Sequence, residues 1–273
     1  MRRQGYIEDF EKEVAYLKKV GADFRLELSG ATRIIYILDG YGEVSSKKVY
    51  FGFKGQKMMK GLELVTMVRR EVRKKIESGE PTPYHEVGAK VVCFHPENLS
   101  SAAVTGEEIY QIDLNACYWV TAKNLGFISD KLFEKGWKIR KDSKIALLAS
   151  IGSLNKKVYE EGFEYGKSIG MMRKKKDDEL RPYYWAVISK VNEIMHEAIA
   201  SVPQHHFMMW LTDCIYVKKE SKKLVEELFS NMGYESKSDT CHISKVEPNK
   251  VFWVTHKTGE EKFVFYNPSV CIH

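Results

Sequence analysis

Two mostly apolar stretches each carry a single carboxylate. EEIYQIDLNACYWV (107–120) holds Asp113, and FMMWLTDCIYVKK (207–219) holds Asp213. Both read as strands. An acid on a buried strand is costly unless a hydrogen-bond network or a cation compensates it. If the two strands pair antiparallel at the centre of one sheet, their carboxylates meet on one face. Acids brought together repel, and at least one of their pKa values rises. Magnesium settles such a pair, because it takes few protein carboxylates and fills its other positions with water and phosphate oxygens. Two such ions about 4 Å apart suit an in-line phosphoryl displacement. The spacing also admits a plainer reading, in which the two are unrelated aspartates at strand ends or in turns.

The rest of the chain is consistent with a folded α+β protein. Its 273 residues bury a real core, 44% of them are hydrophobic, and no run of about 18 apolar residues is present to span a membrane. A formal charge of +6 fits a polyanion partner and also many ordinary proteins. Five scattered cysteines without a CxxC pair suggest a reducing, cytoplasmic setting rather than a disulfide framework. The opening MRRQGYIEDFEKEV turns acidic before any apolar run, unlike a secretory signal.

Apolar spacing predicts a helix over residues 6–20, strands at FRLEL, TRIIYIL and KKVYFGF, and a basic amphipathic helix in MKGLELVTMVRREVRKKIESG. GEPTPYHEVG reads as a loop before the strand AKVVCF. Residues 1–104 form a small N-terminal α+β region and 105–273 the second domain. In the second domain a helix is expected from Ser143 to about Tyr159, then a mobile charged stretch GKSIGMMRKKKDDELRP, and a long helix from about Tyr183 to Ser201. A further helix, SKKLVEELFSNMG, precedes a closing hairpin, NKVFWVTH and KFVFY, around KTGEE.

The surroundings of both acids resemble family B DNA polymerases of the small phage and plasmid type. Their first palm motif is an Asp, two variable residues, a Ser or Ala, one apolar residue and a Tyr, and DLNACY has that spacing. Their third is Tyr-x-Asp-Thr-Asp-Ser. In MWLTDCIYV, Thr212 and Asp213 match the Thr and second Asp, Cys214 replaces the Ser, and Leu211 stands where the first Asp belongs. The middle motif is a helical lysine followed by Asn-Ser-x-Tyr-Gly. Aligned on Lys144, Gly152 matches, while Leu148, Ala149 and Ile151 replace the Asn, Ser and Tyr. RPYYWAVISKVNEIMHEAIASV is similar to the helix before the third motif, and the resemblance spans roughly residues 105–260.

The resemblance implies a palm with a central antiparallel sheet and flanking helices, short fingers (about 137–182) and a minimal thumb-like end (about 234–273). It implies Asp113 and Asp213 as catalytic ligands of Mg²⁺, or of Mn²⁺. Tyr118 would lie under the deoxyribose, where a 2′-hydroxyl would collide with it. Arg140 and Lys144, four apart and on one face if a helix begins that early, would hold the triphosphate; a solvated basic face is the competing reading. Lys156, Lys157 and Lys250 are candidate nucleic-acid contacts, with Lys250–Val251–Phe252 nearest to the family's primer-end Lys-x-Tyr element. The implied partners are primer–template DNA, deoxynucleotides and replication proteins. No set of exonuclease acids is apparent in the N-terminal region. The replacements at Leu211, Leu148 and Ile151 leave open a degenerate palm that binds nucleic acid without catalysis. Use of ribonucleotides, or strand initiation as in a primase, is a third possibility.

Other constellations are less specific. Cys241–His242 with Cys271 and His273 fits no common zinc spacing. His205–His206 precedes the Asp213 segment in a turn after Pro203. The run Arg173, Lys174, Lys175, Lys176 could follow a phosphate backbone, but Asp177, Asp178 and Glu179 cancel most of its charge.

Overall fold

The computed structural model describes residues 3–29, 32–51, 56–85, 92–141, 144–174 and 178–266. In chain order the elements are β1 (Arg3–Tyr6), α1 (Phe10–Lys19), β2 (Phe24–Ser29), β3 (Thr32–Leu38), β4 (Val44–Phe51), α2 (Gln56–Glu77), β5 (Val92–Phe94) and α3 (Pro96–Thr105). They continue with β6 (Glu108–Leu114), α4 (Cys117–Asn124), α5 (Asp130–Arg140), α6 (Lys144–Gly152), β7 (Val158–Glu164) and β8 (Lys167–Lys174). The last are α7 (Arg181–Ser201), β9 (Phe207–Leu211), β10 (Cys214–Lys218), α8 (Lys219–Asn231), β11 (Ser236–Glu247), β12 (Lys250–Thr255) and β13 (Glu261–Phe265).

The chain forms two compact units, each built from two segments: Met1–Thr82 with Ile128–Tyr184, and Pro83–Phe127 with Trp185–His273. These units do not follow the 104/105 boundary expected from the sequence, which falls at the end of α3 within the second unit. The physical reason is strand pairing. β7 adds to the open edge of β2, carrying residues after 128 back to the first sheet.

In the first unit a six-stranded sheet runs β1-β4-β3-β2-β7-β8. Its pairings are antiparallel except for the parallel β1–β4 pair. Asp9 caps α1 by accepting the Lys12 N–H at 2.9 Å. Phe10, Val14 and Leu17 then fall on one helical stripe and pack with Phe24, Leu26, Ile35 and Phe163. The Phe24 and Phe163 rings stack at 4.3 Å across the β2–β7 pair. Each fully buried side chain of this kind contributes roughly 1.5–3 kcal/mol. Helix α2 packs with α5 and α6, and Gly61 brings α2 against Ala146.

Two local expectations are corrected here. The helix expected over 143–159 ends at Gly152, and the following VYEEGFE is strand β7, which pairs with β2 and β8. The first part of the stretch expected to be mobile is strand β8, paired with β7, while Lys175, Lys176 and Asp177 lie outside the described residues. Tyr165 and Gly166, both at positive φ, turn the hairpin.

In the second unit a seven-stranded antiparallel sheet runs β13-β12-β11-β6-β10-β9-β5. Of the expected strand AKVVCF only Val92–Phe94 is described. One sheet face carries Ile109, Tyr216, Cys241, Ile243, Val251 and Trp253, packed with Leu99 and Ala102 of α3. On the opposite face α8 packs against β6, β10 and β11, burying Val225 and Phe229.

Both acid-bearing stretches break where the sequence suggested continuous strands. β6 stops at Leu114, Ala116 takes φ +52°, and α4 begins at Cys117. The second stretch is a hairpin. Phe207–Leu211 and Cys214–Lys218 are separate strands, with Thr212 at φ +54° and Asp213 between them. Each arm is almost wholly buried, so its pattern is a continuous apolar run that does not reveal the turn.

A candidate catalytic carboxylate pair

Asp113 sits near the end of β6, the middle strand of its sheet. Its direct neighbours are Cys214 on β10 and Lys237 on β11. The backbone N–H of Leu114 donates to the Asp213 carbonyl at 3.0 Å, which fixes the hairpin turn beside the end of β6. Pairing therefore brings Asp113, near the end of β6, and Asp213, in the turn between β9 and β10, to one end of two adjoining central strands.

The turn holding Asp213 is tightly specified. Trp210 Nε1–H donates to the Thr212 carbonyl at 2.6 Å. The Thr212 hydroxyl lies 2.8 Å from the Leu211 carbonyl and 3.1 Å from Asp213 Oδ1, within donating reach of both. Burial raises the Asp213 pKa first and the Asp113 charge raises it further, against the Thr212 hydroxyl, the Asp213 backbone N–H and Lys237. The Cys117 and Cys214 thiols are buried, and burial first, then the Asp213 charge on Cys117 and the Asp113 charge on Cys214, holds both well above the ordinary range.

Lys237 was not legible as a site residue. Its Nζ lies 2.5 Å from Asp113 Oδ2, and this bond raises the lysine pKa. Nothing local in GYESKSDT marks it, because its role depends on the β11–β6 register. Asn115 extends the same edge. Its N–H donates to the Glu235 carbonyl at 2.8 Å, and its side-chain amide donates to the Glu235 carboxylate at 3.1 Å.

The donor set suits a hard cation that keeps most of its own water. Asp113 and Asp213 lie at one end of adjoining strands, and burial plus the Asp113 charge already disfavour the charge on Asp213. Among the described residues no group of three His, Cys, Asp or Glu side chains forms a metal cage. Magnesium needs no such cage when phosphate oxygens complete its coordination. Asp113 and Asp213 would hold it, in competition with Lys237 for one oxygen of Asp113.

The other expected residues are distributed as follows. Tyr118 is the second residue of α4, partly exposed between buried Cys117 and Trp119. Arg140 ends α5, its guanidinium 4.4 Å from the Trp137 ring centroid, and Lys144 begins α6, exposed. They therefore do not share one helix face as their spacing suggested, because α5 ends at Arg140 and α6 starts anew. Ser143 lies outside the described residues. Lys156 and exposed Lys157 lie between a short 3₁₀ turn and β7. These four cations belong to the first unit, and the carboxylates and Tyr118 to the second.

Lys250 opens β12 on the sheet face opposite Asp113. Asp113 shares its face with Lys237 and, two residues at a time, with Asp239, Cys241 and Ile243. Ile243 pairs with Trp253, so Phe252 and Lys250 project from the other side. Cys241 is buried while His242 faces His256, so this dipeptide does not converge on a metal. Cys271 and His273 lie outside the described residues. His206 lies 2.9 Å from the Ser221 hydroxyl through Nδ1, a helix-anchoring contact.

A scan against protein-family models finds no match, and comparisons with curated proteins and with solved structures find none. Among the described residues no helix is long and apolar enough to cross a membrane.

Proposed function

We propose that this chain is a minimal DNA polymerase with a family B-like palm, performing template-directed nucleotidyl transfer. The observation that carries the proposal is the placement of Asp113 and Asp213 at one end of adjoining central strands. The spacing of DLNACY and LTDC around these acids supports it independently. Magnesium held there would neutralise charge on the phosphate oxygens and the attacking hydroxyl. The primer 3′-hydroxyl loses its proton to solvent, its oxygen forms a bond to the α-phosphorus, the bond from the α-phosphorus to the oxygen bridging to the β-phosphate breaks, and pyrophosphate leaves. Tyr118, in the same unit as the two carboxylates, is assigned to the sugar pocket. Most of the rate enhancement then comes from positioning and charge neutralisation.

The test supplies primed template, deoxynucleotides and Mg²⁺ or Mn²⁺ to the wild type and to an Asp113→Ala/Asp213→Ala variant. Extension by the wild type alone supports the proposal. Absence of extension with either metal overturns it.

One observation favours a second reading, a palm that binds nucleic acid without catalysis. Lys237 already neutralises Asp113, and Leu211 replaces a third acid. Wild-type binding to primed template without extension selects this alternative.

A further inference from the structure

The outward face of the β12–β13 hairpin carries three phenylalanines around a lysine. Phe263 and Phe265 are 53% and 65% exposed, and Phe252 is partly exposed beside them. Their register explains the row: Phe252 pairs with Phe263, and Lys250 pairs with Phe265. Ring centroids are 5.8 Å apart for Phe252–Phe263 and 5.7 Å for Phe263–Phe265. Lys250 Nζ lies 4.3 Å from the Phe252 ring centroid, 3.8 Å from that of Phe263 and 5.2 Å from that of Phe265. Lys245 on β11 reaches the Phe252 ring at 5.7 Å and pairs with Glu247 at 2.6 Å. The alternate residues Val251 and Trp253 supply the core on the other side.

A strand that only needed to solvate its outer face would carry polar residues there, and three rings in a row leave apolar area in water. The choice of occupant follows from the lysine. Glu247 lies within electrostatic reach of Lys250, and an apolar protein surface laid over the rings would strip water from both charges. A single nucleic-acid strand supplies both complements, bases to stack on rings and a phosphate for the lysine.

We propose that Phe252, Phe263, Phe265 and Lys250 form a stacking platform for single-stranded nucleic acid, on the sheet face opposite Asp113. The proposal rests on the nucleic-acid-binding part of the functional reading and is independent of catalysis. It also gives Lys250 a role away from the carboxylate pair, on the face where the register places it.

The test uses the full chain, a fluorescein-labelled oligothymidylate and an abasic strand of equal length. In Phe263→Thr/Phe265→Thr, oligothymidylate affinity falls about tenfold or more while abasic binding hardly changes, since only the base contribution is lost. Phe263→Tyr/Phe265→Tyr keeps the rings and retains binding, and Lys250→Gln weakens binding of both strands. Bromouracil-substituted oligonucleotide photocrosslinks to β12–β13 of the wild type. Unchanged oligothymidylate affinity in the folded threonine variant, or crosslinks only elsewhere, overturns the proposal. So does a threonine variant that loses self-association in sedimentation but binds oligothymidylate as before, which assigns the rings to a second copy of the chain. Asp113→Asn separates the two readings: extension stops while oligothymidylate binding persists. Ring-dependent binding by a wild type that extends nothing leaves this inference standing and the polymerase reading refuted.

Discussion

Lys237 is paired with Asp113, Nζ to Oδ2 at 2.5 Å, from the adjacent strand of the same sheet. The lysine occupies one of the oxygens that a cation would need. Because the pair is partly solvated, it contributes about 1 kcal/mol or less to stability. Lys237→Gln is therefore expected to leave the melting temperature almost unchanged. The same substitution strengthens Mn²⁺ or Mg²⁺ binding about fivefold, the factor equivalent to about 1 kcal/mol. Isothermal titration of both proteins with Mn²⁺ checks this, and equal affinities would show that Lys237 does not compete.

Asp213 carries a raised pKa, from burial first and from Asp113 second. The folded state thus holds this proton more tightly than the unfolded chain. Stability falls as pH rises from the ordinary carboxylate range to the raised value, and the deficit then persists at higher pH. Asp213→Asn removes the penalty. In metal-free buffer it melts at a higher temperature than wild type at neutral pH, and the difference closes in acid. Melting curves over a pH series check it, and a variant destabilised at neutral pH would contradict the electrostatic account.

Mg²⁺ is expected to act on the same deficit from outside. Saturating Mg²⁺ raises the wild-type melting temperature at neutral pH, because a ligand bound only by the folded state stabilises it. The rise disappears in Asp113→Asn/Asp213→Asn. An equal rise in both proteins would place the cation elsewhere.

Arg140 and Lys144 close one helix and open the next. Lys144→Ala, at an exposed position, changes stability by less than about 0.5 kcal/mol. Melting curves of the two proteins check this, and a larger loss would show that Lys144 makes a structural contact.

Gly166 tests the fold. It has φ +75°, and an added Cβ would stand 2.3 Å from the Lys18 carbonyl oxygen. Its N–H donates to the Ala22 carbonyl at 3.1 Å, so the turn cannot move freely. Gly166→Ala is expected to cost about 1–3 kcal/mol, as strained backbone typically does. Denaturant titration measures it, and a neutral result would show that the β7–β8 turn relaxes.

What the sequence determined by itself is the local grammar. The stripe Phe10, Val14, Leu17 marks a helix because its period matches the α-helical turn, and it does pack that way. Two short β-branched and aromatic runs, NKVFWVTH and KFVFY, around the turn KTGEE mark the closing hairpin, whose strands pair as expected. Asp113 and Asp213 stand out because each interrupts an apolar run, which needs no partner to be noticed. Where a stretch is buried on both sides, as in Phe207–Lys218, the period disappears and with it the turn at Thr212 and Asp213. Only the tertiary structure decided that Lys237 reaches Asp113, that Lys250 faces away from it, and that residues after 128 return to the first sheet. These are consequences of ladder register between distant segments. Periodicity records which side of an element is apolar, while the pairing partner is chosen by the free energy of the whole sheet.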